Sequence, residues 1–160
     1  MKIVDNYEAK IWLGLREGYT DNYFTVAEVS EEIRNYCTEV GQCVTISPTH
    51  FAYVNGEEPG LIIGFINYAR YPASEAEIRN RARDLATRLM KKFKQYRVTI
   101  TFYPAYPSGS VMLENEDFIK SVEDCKFYDE AQGRYKCCSD KSTTGKCLGI
   151  CEHFEKIKLC

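Results

Sequence analysis

Hydrophobic positions along the first hundred residues alternate between two periods. In Tyr7–Arg16 the apolar residues Ala9, Ile11, Leu13 and Leu15 fall on every second position, with Glu8, Lys10, Trp12, Gly14 and Arg16 between them. Period two places each set on one face of a strand. The period then lengthens. Val26, Val29, Ile33, Cys37 and Val40 recur at three-and-four spacing, which predicts an amphipathic helix with that stripe inward. Thr25 and Glu28 have capping-box spacing at its start, Phe24 and Val29 occupy the staple positions, and Gly41 stops it. Cys43–Ser47 reads as a second strand broken at Pro48 and resumed over His50–Val54, and a turn is expected over residues 55–60. Leu61–Tyr68 is nearly continuous in hydrophobicity, as a central strand is. Ser74 and Glu77 make a second capping box, and Ile78, Ala82, Leu85, Leu89 and Phe93 form a second stripe. Arg97–Tyr103 alternates again, and Val111–Leu113 adds a short edge strand.

The order β-α-β-β-α-β is the split βαβ pattern, so an α/β (α+β) fold of ferredoxin-like type is expected over residues 1–115. Residues 116–160 change in character. Asp117–Cys125 fits a helical turn, and from Cys125 onward hydrophobic residues thin out while six of the chain's eight cysteines appear. A small cysteine-rich appendix is therefore expected after the main domain.

Composition narrows the partners. The 160 residues are 44% hydrophobic and 13% aromatic, enough for a packed core. The formal net charge of −2 argues against a duplex-DNA binder, which normally carries a strong basic excess. No run approaches the length needed to cross a bilayer, and Met1–Val4 leads straight into polar Asp5-Asn6, so a cytoplasmic protein with no membrane partner is expected.

That compartment bears on the cysteines. Cys125, Cys138, Cys147 and Cys151 are candidate ligands for a structural zinc ion, with Cys137 or His153 as substitutes. Four thiolates would supply folding energy that a segment this poor in apolar residues cannot gain by burial. Cys147-x3-Cys151 has metal-ligand spacing, but paired C-x2-C motifs are absent, so disulfides and free thiols remain open alternatives.

Catalytic patterns are scarce. Neither His50 nor His153 belongs to a recognisable nucleophile or metal motif; a pair between His50 and Cys43 is possible in space, though Cys43 is more simply a small strand residue. Thr144-Gly145-Lys146-Cys147 lacks the first glycine and the hydroxyl of a phosphate-binding loop. Glu57-Glu58 reads as a solvated hairpin tip. The uncovered sheet face is richer. If Ile11, Leu13 and Leu15 face the helices, Lys10, Trp12 and Arg16 project from the other side, as do Arg97, Thr99, Thr101 and Tyr103. Strands one and four need not be neighbours across the whole sheet. Tyr68 and Arg70 add a ring and a guanidinium at the entry to the second helix. Rings stack on bases and guanidinium groups pair with phosphates, so Lys10, Trp12, Arg16, Tyr68, Arg70, Arg97 and Thr99 are the candidate ligand-binding residues. The same face also suits a homo-oligomer interface.

The stretches Tyr7–Arg16, Glu58–Tyr68 and Gln95-Tyr96-Arg97 resemble small bacteriophage-borne proteins of unassigned function. The resemblance implies an anti-defence role of the kind that sequesters nucleotide messengers. The function expected from sequence is therefore a non-enzymatic binding protein for a small phosphate-bearing, nucleotide-like ligand. The alternative is a protein-interaction module docking through its sheet face and zinc-stapled tail.

Overall fold

The computed structural model describes residues 1–18, 20–54, 56–105 and 109–116, together with the strand pairing of Tyr128–Asp129 and Arg134–Tyr135. It is a mixed α/β structure: a five-stranded antiparallel sheet carrying two helices. The elements are β1 (Glu8–Gly14), α1 (Val26–Val40), β2 (Val44–Tyr53), β3 (Gly56–Ile66), α2 (Glu75–Lys92), β4 (Arg97–Tyr103) and β5 (Ser110–Glu114). Strand order is β2-β3-β1-β4-β5. The zinc candidates Cys125, Cys138, Cys147 and Cys151 and their substitutes lie outside the described residues, as does the helical turn expected over residues 117–125. Among the described residues no helix is long and apolar enough to cross a membrane.

Both helices begin as their sequences dictate. The hydroxyls of Thr25 and Ser74 accept from the backbone amides of Glu28 and Glu77, whose carboxylates reach back to the cap residues' own amides. Each box satisfies donors that a helix start otherwise leaves open. Gly41 ends α1 in the left-handed region at φ 67°, where a residue without Cβ is unstrained.

The core lies between the helices and one sheet face. Ala9, Ile11, Leu13 and Leu15 meet Leu61, Ile63 and Phe65 from β3 and Val98, Ile100 and Phe102 from β4, all buried. The second helix supplies Ile78, Ala82, Leu85 and Leu89, as its periodicity predicts. The first helix departs from its predicted stripe. Val26 and Val40 are exposed at its two ends, and Val29, Glu32, Ile33 and Tyr36 are its buried residues. Tyr36 donates from its hydroxyl to the Arg81 carbonyl at 2.9 Å, and burial pushes its pKa up to about 12. Glu32 is buried because α2 provides two partners for it, Arg88 and Lys92; Arg88 also binds Glu39 with both terminal nitrogens. On the basic face of α2, Arg88 and Lys92 are thus neutralised by α1.

Three further differences matter for the site. Strand β2 does not break at Pro48, because it is an edge strand and proline's missing N–H falls where the ladder needs no donor. The turn expected over residues 55–60 contracts to the junction between Tyr53 and Gly56, so Glu57 and Glu58 belong to β3. Strands β1 and β4 are direct neighbours, with Trp12 opposite Thr99 and Lys10 opposite Thr101.

Candidate functional site

The uncovered sheet face follows from register. Even-numbered residues of β1 and β3 and odd-numbered residues of β2 and β4 share it, and they form cross-strand rows. One row runs Ser47, Ile62, Trp12, Thr99 and Met112; the next begins Thr49, Gly60, Gly14. Two adjacent glycines leave a shallow depression in the face. Larger side chains lie across it: Phe51 covers Gly60, and the Glu58 carboxylate covers Gly14. A methyl group at Gly14 would sit 2.7 Å from Glu58 Oε1, and one at Gly60 would sit 2.1 Å from the Phe51 ring.

Beyond these glycines, at the end of the sheet, three segments converge on a cleft of about 580 Å³. Arg16 and Gly18 come from the stretch after β1, Tyr53, Val54 and Gly56–Glu58 from the β2–β3 hairpin, and Gln95, Tyr96 and Arg97 from the entry to β4. The volume suits a nucleoside-sized molecule.

The charges in the cleft are arranged unevenly. Arg16 donates to the Thr20 carbonyl and, at 3.1 Å, to Asp21. Burial alone would lower its pKa, but Tyr23, Tyr53 and Asp21 hold it above its ordinary value. Arg97 pairs with Glu114 at 3.0 Å and stacks on the Tyr96 ring, 4.7 Å from its centroid. Glu58 is half-buried and has no hydrogen-bond or ion-pair partner among the described residues. Burial pushes its carboxyl pKa above the usual range while Arg16 pulls the other way. A carboxylate that has lost water and is only partly compensated by a nearby arginine can still gain from a cationic ligand.

The structure divides the seven sequence-predicted binding residues into three groups. Arg16 and Arg97 meet in the cleft. Lys10, Trp12 and Thr99 lie along the middle of the face, where the Trp12 indole donates to Thr101 Oγ1 at 3.1 Å. Tyr68 and Arg70 follow the far end of β3, separated from Glu58 by about 25 Å of strand. There Tyr68 lies beside the Cys43 thiol, which raises its pKa, and Arg70 stacks on Tyr71. His50 and Cys43 are also kept apart by about 23 Å of strand, and His50 pairs with Glu57 at 3.1 Å. Among the described residues no group of three or more His, Cys, Asp or Glu side chains could hold a metal ion.

Sequence reasoning missed Glu58, Tyr53 and Gln95. Glu58 was legible in one respect: Glu58, Gly60, Ile62 and Gly64 continue the alternation of β3 upstream of its hydrophobic run.

Comparison with known proteins bears on what such a cleft does. No family model and no curated protein matches the chain. Two solved structures do. One is a phage SAM lyase in the apo state, 17% identical, with a TM-score of 0.59, the match covering 69% of this chain and 90% of that one. The other is a phage SAM lyase in complex with S-methyl-5'-thioadenosine, also 17% identical, with a TM-score of 0.53, covering 69% and 91%. At this identity the likeness shows a shared fold, and it accords with the resemblance to phage proteins. The expectation of a non-enzymatic binding protein, and of the docking module beside it, is corrected on this ground. The structures that share the fold are of an enzyme, and the cleft is lined by a partly desolvated carboxylate as well as by arginines, unlike a purely cationic phosphate site.

Proposed function

We propose that the protein is a SAM-degrading lyase, cytoplasmic and phage-borne, built on a ferredoxin-like sheet. The observation that carries this reading is Glu58: a half-buried, unpartnered carboxylate in a nucleoside-sized cleft, on a fold shared with phage SAM lyases.

SAM combines a sulfonium cation, an adenosine and an α-amino-acid arm. S-methyl-5'-thioadenosine is what remains when that arm departs. The bond broken thus lies between sulfur and the arm's terminal carbon: its electron pair goes to sulfur, and an oxygen of the arm's own carboxylate forms the new bond to that carbon, closing a lactone. A lyase performs this without adding water.

Each part of the cleft has a matching task. Glu58 attracts the sulfonium, a charge that dissolved phosphates and neutral nucleosides lack. At about 4 Å and an effective dielectric near 20, that attraction is worth about 4 kcal/mol before desolvation. It vanishes when sulfur becomes a neutral thioether, which favours release of the product. Tyr53, exposed on the hairpin, offers a ring for the adenine. Arg97 and Arg16 carry the positive charge that holds the arm's carboxylate. Fixing both ends of the arm converts a floppy substrate into an aligned one, which is where rate is gained.

The test is incubation of the purified full-length chain with SAM, followed by chromatography for S-methyl-5'-thioadenosine. Its appearance in proportion to enzyme supports the reading. Intact SAM overturns it.

A further inference from the structure

The cleft contains a second acceptor, held more rigidly than Glu58. Gln95 is only 6% exposed, yet it lines the cleft wall. Its backbone amide donates to the Met90 carbonyl at 2.8 Å, and its own carbonyl accepts from Asn115 Nδ2 at 3.2 Å. Both protons of the side-chain amide are committed as well. Nε2 donates to the Arg16 carbonyl at 2.6 Å and to the Phe93 carbonyl at 3.1 Å. Only a nitrogen can donate to two carbonyls, so the orientation of the amide is determined by its partners.

The remaining atom is Oε1. It has no hydrogen-bond partner among the described residues and is not fully buried, and its residue lines the cleft. A carbonyl oxygen with two lone pairs, fixed by four hydrogen bonds to its residue, is a pre-organised acceptor. It calls for a ligand N–H.

We infer that Gln95 Oε1 receives the α-ammonium group of the substrate and thereby selects for an intact α-amino acid. This assignment rests on the lyase reading above. Its geometry is local: Gln95 lies two residues from Arg97 at the entry to β4, and its Nε2 holds the backbone of Arg16. A carboxylate placed at these arginines brings the ammonium, attached to the same carbon, to the neighbouring acceptor. Cation, carboxylate and ammonium are then read by Glu58, by the arginine pair and by Gln95. Adenine's amino group is the competing donor, but it lies at the opposite end of the substrate from the carboxylate.

The experiment compares SAM with the analogue in which hydrogen replaces the α-amino group, a change that adds no bulk. For the wild-type chain, kcat/KM is expected to favour SAM by about tenfold or more, the usual worth of a charge-assisted hydrogen bond. In Gln95→Met, which keeps the shape but has no acceptor oxygen, the preference is expected to shrink to about threefold or less. A merely structural role would lower both rates and leave their ratio unchanged. A wild-type preference below about twofold overturns the assignment, as does a preference that survives intact in a folded Gln95→Met. If that variant does not fold, the wild-type comparison decides alone. Absence of any SAM turnover by the wild type removes the lyase reading beneath it, a result distinct from turnover without selectivity.

Discussion

Replacing Gly14 by alanine isolates the position of Glu58 from its chemistry. The new methyl group would meet Glu58 Oε1 at 2.7 Å, Cδ at 3.0 Å and Oε2 at 3.3 Å, its three nearest atoms. These atoms end a flexible side chain, so the strand stays in place and the carboxylate retreats by about 0.7 Å or more to regain ordinary contact. At an effective dielectric near 20, lengthening a charge separation from about 4 to about 4.7 Å loses about 0.6 kcal/mol, roughly threefold in kcat/KM. Misalignment adds to that, and an ångström of displacement at a reacting centre costs up to about a hundredfold. The fold should hold, because removing glycine's freedom from the unfolded chain offsets the local adjustment to within about 1 kcal/mol. The assay pairs kcat/KM on SAM with urea unfolding of the same preparation. A loss between three- and a hundredfold with unchanged unfolding is expected. Wild-type kcat/KM in a folded Gly14→Ala would refute the claim that this carboxylate sits at the site.

The remaining predictions test separate parts of the structure. Gly60→Ala drives its methyl into the Phe51 ring at 2.1 Å and the Leu13 carbonyl at 2.8 Å, so it should destabilise by about 2–3 kcal/mol in urea melts. Glu58→Gln should stabilise slightly at neutral pH while raising KM for SAM by about tenfold or more. The sign follows from burial, which raises the folded pKa: the contribution of this group is fully present below the unfolded pKa and is lost as pH rises through the folded one. The acid limb of the kcat/KM profile should accordingly lie above the ordinary glutamate range. Glu32 has the opposite linkage. Lys92 first, against burial and with Arg88, holds its pKa below the usual value, so its contribution exists above the unfolded pKa and disappears as pH falls through the folded one. Glu32→Gln should cost about 2 kcal/mol at pH 7 and flatten the acid side of the stability profile. For the tail, elemental analysis should find one zinc per chain, lost to a chelator, if the thiolates of Cys125, Cys138, Cys147 and Cys151 bind it.

Local order was legible in this sequence, and long-range placement was not. Thr25 with Glu28 and Ser74 with Glu77 announce helix starts because a capping box is satisfied within four residues. The alternation of Ala9, Ile11, Leu13 and Leu15 identified the buried face for the same reason. Glu32 could not be read as buried, since its partners Arg88 and Lys92 lie more than fifty residues away. The hairpin was misread because Pro48 and Pro59 look like strand breakers until an edge position makes Pro48 harmless, and with it Glu58 was left in a turn. Arg16 and Arg97 were chosen for their charge, and they do share the cleft. Lys10, Trp12 and Thr99 share their face without reaching it, while Tyr68 and Arg70 belong to the other end of the sheet, because a face is a whole surface and a site is one place on it. Gln95 had no signal at all: its role comes from two carbonyls that approach only when β1 and α2 are folded together.

The central claim is that this cleft breaks the sulfonium bond of SAM with Glu58 holding the cation. Proton NMR of SAM incubated with the wild-type chain and, side by side, with Glu58→Gln tests it most directly, because the methyl signal moves when a sulfonium becomes a thioether. The account predicts conversion to S-methyl-5'-thioadenosine by the wild type, and conversion slowed at least about tenfold by the variant at subsaturating SAM. An unchanged sulfonium methyl signal with the wild type, or equal rates from the two proteins, would contradict it.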